Sequence, residues 1–356
     1  MGIMTLRHHR ELSMTGRPAV VILDASGGGY LERPDIETDL LNGIAETRLE
    51  VIAPAGRERL LRLDADYVIL WHRVGLDAEF FETAKRCRAV VCASVGYDHV
   101  DVAAAGTAAV PLFHVPDYGT EEVADHTLAL ALALARALPR LREHTLEGGW
   151  DWRAIGATRR LRGQVWGIIG LGRIGTAVLR RAEAFGIHCV FYDPYAHPGI
   201  QKGLGIQRFP DLAGLLEVAD IVSVHVPLTD DTRHLLGADE FGRMKPGSML
   251  INTARGAIVD IDALRSALDA CRPGLVGLDV VEGEPVLPLW LRQHPQALVT
   301  PHAAFYSVES LVELRTRAAK AVAQLITGQL VTSAFPIETR PHSPDPRIVP
   351  AEWSSR

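Results

Sequence analysis

The segment Val165-Trp-Gly-Ile-Ile-Gly170-Leu-Gly172-Arg-Ile-Gly175 leaves the chain few choices of local structure. An apolar run leads into Gly170, and glycines return at 172 and 175. Ile174, Val178, Ala182 and Phe185 then recur at helical spacing, so the segment reads as strand, tight turn and helix. Each glycine meets a steric demand: Gly170 permits the turn, Gly172 lets the backbone approach a pyrophosphate, and Gly175 lets the helix pack against the strand. The helix N-terminus offers unpaired N–H groups and partial positive charge to phosphate, and Arg173 stands beside them. A second apolar run, His188–Asp193, ends in an acid 18 residues after Gly175, close to the spacing of about 20 at which a carboxylate accepts the ribose hydroxyls of a dinucleotide. Asp193 would repel a 2′-phosphate, and no arginine follows it before Arg208, which favours NAD(H) over NADP(H).

The chain is 356 residues long, which predicts two domains. Before the glycine segment, apolar runs at Val20–Asp24, Leu49–Ala53, Tyr67–Trp71, Ala89–Cys92 and Val110–Val115 alternate with helical patterns such as Asp35–Ile44 and Asp77–Cys87. Such alternation predicts a small parallel sheet with crossover helices. After it come strands at His188–Tyr192, Ile221–Val226, Ser248–Thr253, Leu275–Val280 and Leu298–Thr300, then an amphipathic helix over Ser307–Thr327. A helix opening at Thr120, read as its N-cap, runs to about Leu138. Leu128–Leu134 is apolar on nearly every face, so it must be covered, within a domain or by a second subunit. We favour a homodimer through the 120–138 helix. The segment 336–356 carries five prolines and reads as an extended or disordered tail.

A net charge of −6 and the lack of a long basic block argue against nucleic acid as partner. No run of 18 apolar residues suggests a membrane span. The opening stretch, with its His8-His9 pair, lacks the apolar core of a secretory signal. Four cysteines without zinc or redox spacing predict a reduced, cytoplasmic chain, and no motif calls for a metal.

In an open parallel sheet, ligands bind beyond the carboxyl ends of the strands. The chemically distinctive residues gather there: Val226-Pro227 after one strand, Asn252-Thr253-Ala254-Arg255-Gly256 after the next, then Asp279-Val-Val-Glu-Gly-Glu284-Pro285, and last Thr300-Pro301-His302-Ala-Ala-Phe305. Val226, Pro227, Thr253, Ala254, Arg255, Asp279 and His302 thus join Gly170, Gly172, Arg173, Ile174, Gly175 and Asp193 as the candidate cofactor residues. One arginine, one glutamate and one histidine are offered to a single crevice.

The ordered set G-L-G-R-I-G, Y-D-P, N-T-A-R-G, L-D-V-x-E-x-E-P and T-P-H resembles the D-isomer-specific 2-hydroxyacid dehydrogenase family. Finer details, such as Phe191–Tyr195 and His302–Ser307, are most similar to its C-terminal binding protein branch. The resemblance implies a Rossmann-type doubly wound NAD domain over 117–313. It also implies a smaller flavodoxin-like substrate domain from 1–116 and 314–335, with the active site in the interdomain cleft. It implies a small carboxylic acid substrate, interconverted between 2-oxo and D-2-hydroxy forms. By resemblance, Arg255, Glu284 and His302 are catalytic. A histidine of near-neutral pKa can give a proton to a carbonyl oxygen, a neighbouring carboxylate fixes its tautomer, and an arginine holds the substrate. Glu284 fits better than Glu282 because the family places its acid directly before Pro285.

The same resemblance assigns His72, Val95, Gly96, Arg255 and Phe305 to substrate, the backbone N–H groups of Val95 and Gly96 taking its carboxylate. Three departures stand out. Ser94 replaces a glycine, Phe305 replaces a tryptophan, and Cys92 occupies the place of the branch's substrate-facing arginine, a charge that Arg73 could replace. His114, His126 and His225 read as structural. Rival readings are an NAD(H)-sensing corepressor-like scaffold and a dehydrogenase of phosphonate or phosphite substrates.

Overall fold

The computed structural model describes residues 16–27 and 29–338. The His8-His9 pair and the tail beyond 338 lie outside the described residues. Chain contacts divide the protein into two compact units, residues 16–116 with 312–338, and residues 117–311.

The first unit is built on parallel strands β1 (Ala19–Ala25), β2 (Glu46–Ile52), β3 (Tyr67–Leu70), β4 (Ala89–Cys92) and β5 (Leu112–His114), in spatial order β2-β1-β3-β4-β5. That order is the flavodoxin-like one. The strands β1, β3 and β4 read as unbroken apolar runs because the sheet is covered on both faces. The edge strand β2 starts three residues before the expected Leu49, since its leading Glu46-Thr47-Arg48 is polar and hides the strand from a hydrophobicity pattern. Phe335–Pro336 pairs antiparallel with β5, and Ile337 is buried in the core. The segment read as tail from 336 therefore starts inside the sheet, anchored by one isoleucine among prolines.

In the second unit seven parallel strands follow: β6 (Val165–Ile169), β7 (His188–Tyr192), β8 (Gln207–Arg208), β9 (Ile221–Val224), β10 (Met249–Asn252), β11 (Leu275–Leu278) and β12 (Ala297–Val299). Their order, β8-β7-β6-β9-β10-β11-β12, is that of a doubly wound dinucleotide fold, with the reversal between β6 and β9. The two-residue β8 has no apolar run and could not be seen in the sequence pattern.

The helix Thr120–Ala135 packs its Leu128, Leu130 and Leu134 with Trp166, Ile168, Leu179 and Phe191, in the core on one face of this sheet. Leu128, Leu130 and Leu134 are thus buried within their own unit, while Leu132 is half-buried and Ala129 exposed. The helix also ends sooner than expected. Ala137 takes φ +50° and Pro139 starts a separate helix, Leu138–Leu146. Beyond that break Leu138, Leu146, Trp150 and Trp152 are exposed.

Candidate active site

The glycine turn has the geometry its sequence demands. Gly170 sits at φ +90°, and a Cβ there would stand 2.8 Å from Val226 Cγ1. At Gly175 a Cβ would come within 2.1 Å of the Gly170 carbonyl oxygen, so only glycine lets this helix start against β6. Gly172, by contrast, faces open space. A cavity of about 670 Å³ lies over this helix start, lined by Gly172, Arg173, Thr176, Arg180 and Thr120 among others. Open backbone, a helix N-terminus and arginines are what a pyrophosphate needs, so these residues fit a dinucleotide. Thr120 is not the cap it was read as. It is the first helical residue, after Gly119, and its buried hydroxyl has no hydrogen-bond partner.

Asp193, just past β7, accepts the Leu171 N–H through Oδ2 (2.8 Å) and the Tyr195 N–H through Oδ1 (2.8 Å). The carboxylate is tied to the glycine turn itself. Arg208 lies closer than sequence distance suggests, donating to the Asp193 carbonyl at 2.6 Å. Pro227 follows β9, where its carbonyl accepts from Thr232 (2.6 Å), and Ile174 packs partly buried against the core beside β6.

After β10 the buried side chain of Asn252 folds the next loop. It accepts from the Ala254 N–H (3.0 Å) and donates to the Arg255 carbonyl (2.8 Å). The Thr253 hydroxyl meets Thr127 of the 120–135 helix at 2.9 Å. Arg255 Nη1 donates to the Ala254 carbonyl at 2.8 Å.

Glu284 and His302 are joined directly, Oε1 to Nδ1, at 2.5 Å. Burial pushes the Glu284 carboxyl up, but the His302 hydrogen bond and charge, the Val281 N–H (3.2 Å) and the Arg255 charge outweigh it and hold it below its ordinary range. The electrostatic influence of Arg255 on Glu284 ties the three residues into one site. Glu282 is engaged elsewhere, with His234 at 2.8 Å and Arg233 at 3.5 Å. His302 takes φ +54°, a left-handed conformation that costs a non-glycine residue about 1–3 kcal/mol and must be held by its surroundings. Asp279, almost fully buried, does the holding. Its Oδ1 accepts from Thr300 (2.6 Å) and the Ala303 N–H (2.9 Å), its Oδ2 from the Ala304 N–H (2.9 Å), and its carbonyl from the His302 N–H (2.8 Å). The Phe305 ring stands 6.4 Å from that of His302 and 6.3 Å from Tyr118, centroid to centroid.

In the first unit, His72 lies just past β3, and Val95 and Gly96 just past β4. His72 Nε2 meets the Tyr30 hydroxyl at 3.0 Å, and Tyr30 stacks on Trp71 at 4.9 Å. Tyr30 lies in a loop with no motif, so nothing in the sequence marks it. Ser94 donates to the Gly96 carbonyl (2.7 Å), and His114 Nδ1 donates to the Val95 carbonyl (2.7 Å), so the Val95–Gly96 turn is clamped from both sides. Cys92 is fully buried in the core, and burial pushes its thiol up to about 12. The small side chain at this position packs into the core with its β4 neighbours. Arg73 reaches the Gly27 carbonyl at 3.5 Å.

Residues 128–304 match the family described as D-isomer specific 2-hydroxyacid dehydrogenase, NAD binding domain. A glyoxylate reductase of Korarchaeum cryptofilum is 38% identical over 265 residues, 73% of this chain and 78% of that protein. The chain belongs to the D-isomer-specific 2-hydroxyacid dehydrogenases. Two crystal structures agree with the family in fold. D-lactate dehydrogenase from Aquifex aeolicus, complexed with NAD and lactic acid, superposes with a TM-score of 0.77 at 27% identity, covering 87% of this chain and 96% of that one. An NADPH-dependent glyoxylate/hydroxypyruvate reductase from Sinorhizobium meliloti, in complex with NADP and malonate, gives 0.77 at 28% identity, covering 91% and 98%. This dehydrogenase is thus an oxidoreductase with the family's NAD-binding domain. Among the described residues no helix is long and apolar enough to cross a membrane, and no cluster of three or more His, Cys, Asp or Glu could hold a metal.

Proposed function

We propose that this dehydrogenase interconverts a 2-oxo acid and a D-2-hydroxy acid with NAD(H), with His302 as the acid/base. The observation that carries the reading is the 2.5 Å contact between His302 Nδ1 and Glu284. An ionised Glu284 accepts the Nδ1 proton and fixes the ring orientation, so the proton exchanged with substrate is the one on Nε2. Bound NADH supplies the hydride. Arg255 offers a planar set of donors to the substrate carboxylate or carbonyl. The Val95 and Gly96 N–H groups, held by His114 and Ser94, take the carboxylate, while His72 and Phe305 shape the pocket.

Gly170, Gly172, Arg173, Ile174 and Gly175 would hold the pyrophosphate, Asp193 the adenosine ribose, and Val226, Pro227, Thr253, Ala254 and Asp279 the rest of the dinucleotide. Asp193 supports NAD(H) over NADP(H), because a carboxylate after β7 would repel a 2′-phosphate. The protein is a cytoplasmic homodimer in this reading. Four unpaired thiols fit a reducing compartment, and the exposed Leu138, Leu146, Trp150 and Trp152 fit a second copy of the chain.

The test is NADH oxidation with glyoxylate, pyruvate, hydroxypyruvate and larger 2-oxo acids. Turnover of at least one is expected, and inertness toward all of them overturns the reading.

A further inference from the structure

Two side chains on the Thr120–Ala135 helix touch the turn that carries His302, one on each side of it. His126 Nε2 lies 2.9 Å from Thr300 Oγ1, and Ser307 Oγ donates to Glu122 Oε1 at 2.7 Å. Glu122 and His126 are four residues apart, hence on one face of the helix. Glu121 and Asp125 face elsewhere, both to Arg181. Thr300 and Ser307 bracket the turn that presents His302 in its left-handed conformation.

The direction of the bonds follows from proton counting. Thr300 gives its single hydroxyl proton to Asp279 Oδ1 at 2.6 Å. The contact with His126 therefore needs a donor on the imidazole, and His126 carries its proton on Nε2. The chain His126–Thr300–Asp279 then ends on the Ala303 and Ala304 N–H groups, next to His302. Near the other end of the turn, the Ser310 hydroxyl donates to the Phe305 carbonyl (2.7 Å), and the Ser307 N–H donates back to that hydroxyl (2.8 Å).

The geometry points to Glu122 and His126 as positioning residues, a two-point clamp by which this helix holds the His302 turn in its productive conformation. The inference rests on the role proposed for His302. Small displacements of a reacting group cost large factors in rate, a 1 Å misplacement about 10²-fold. The loss should therefore fall on kcat.

The test compares His126→Ala and Glu122→Ala with His126→Gln and Glu122→Gln, in the full chain, with NADH and glyoxylate. Gln at 126 keeps an N–H donor and Gln at 122 keeps a carbonyl acceptor. Each Ala variant is expected to lose kcat about 10–100-fold, with unchanged KM and unchanged NADH affinity by fluorescence, and the Gln variants to recover most of it. A second readout does not need turnover: the low-field proton NMR signal of the His302 Nδ1–H···Glu284 bond should shift or broaden in the Ala variants and persist in the Gln variants. Ala variants with wild-type kcat and an unmoved signal overturn the clamp. So does a joint fall in kcat, glyoxylate affinity and NADH affinity that Gln does not relieve, since that marks a fold role. An inert His302→Ala beside a fully active His126→Ala would sink the clamp and leave the acid/base assignment standing.

Discussion

At the scale of single residues, the site is a set of partners chosen by folding rather than by proximity in the chain. Glu284 is held below the usual carboxylate range by His302 despite its burial. A carboxylate with a lowered folded-state pKa contributes stability that is present above its ordinary pKa and is lost as the pH falls through the lowered value. Glu284→Gln should therefore reduce Tm at neutral pH, and the gap to wild type should close in the acid range below the ordinary carboxylate pKa of 4.5. Thermal melts across that range decide it, and a gap independent of pH would contradict the pairing. Cys92 makes the opposite point. Cys92→Arg would place an unpaired charge in a position with no exposure, which folding does not tolerate. The expected outcome is a sharp loss of Tm with no gain in turnover.

These residues also show what a sequence can and cannot say. Glycines at 170 and 175 were legible because backbone conformation and close approach admit little else. Arg255, Glu284 and His302 were legible because strand ends are where such sheets place their chemistry. His126 looked like an isolated structural histidine because its partner, Thr300, is 174 residues away. The full burial of Cys92 was not legible because a motif gives the register of a position and not its burial.

At the scale of elements, the helix Thr120–Ala135 does two jobs in its own unit. Its leucines fill the core beside β6 and β10, and its Glu122 and His126 reach the His302 turn. Apolar faces on nearly all sides announced that it would be buried, but the pattern could not say by what. Leu130→Ala, which empties part of that core, should cost about 2–5 kcal/mol by denaturant titration while leaving the association state unchanged. A double change of Trp150 and Trp152 to serine should do the reverse, shifting the mass seen by light scattering toward the monomer with little loss of monomer stability. Monomers from the first variant and dimers from the second would place the interface back on the leucines. Gly175→Ala tests the turn itself. A Cβ 2.1 Å from the Gly170 carbonyl forces the helix off β6, so NADH affinity should fall below detection by fluorescence titration.

At the scale of the whole molecule, the proposed mechanism draws its residues from two α/β units. One supplies the Val95–Gly96 turn, the other the glycine turn and the Arg255, Glu284 and His302 set. The alternation of apolar runs with helices announced parallel sheets, while the polar start of β2 and the two-residue β8 left no such signal. Cofactor choice belongs to this scale too, since Arg208 comes from a strand edge to stand beside Asp193. On the proposed role of Asp193 at the adenosine ribose, kcat/KM for NADH should exceed that for NADPH, and Asp193→Ser should narrow the ratio. The proposed chemistry stands on one side chain, that of His302. Turnover by His302→Ala, measured with NADH bound as tightly as in wild type, is the most direct probe of it. A fall in kcat of about 10²–10⁴-fold is predicted for the loss of the proton donor, and undiminished turnover would contradict the mechanism.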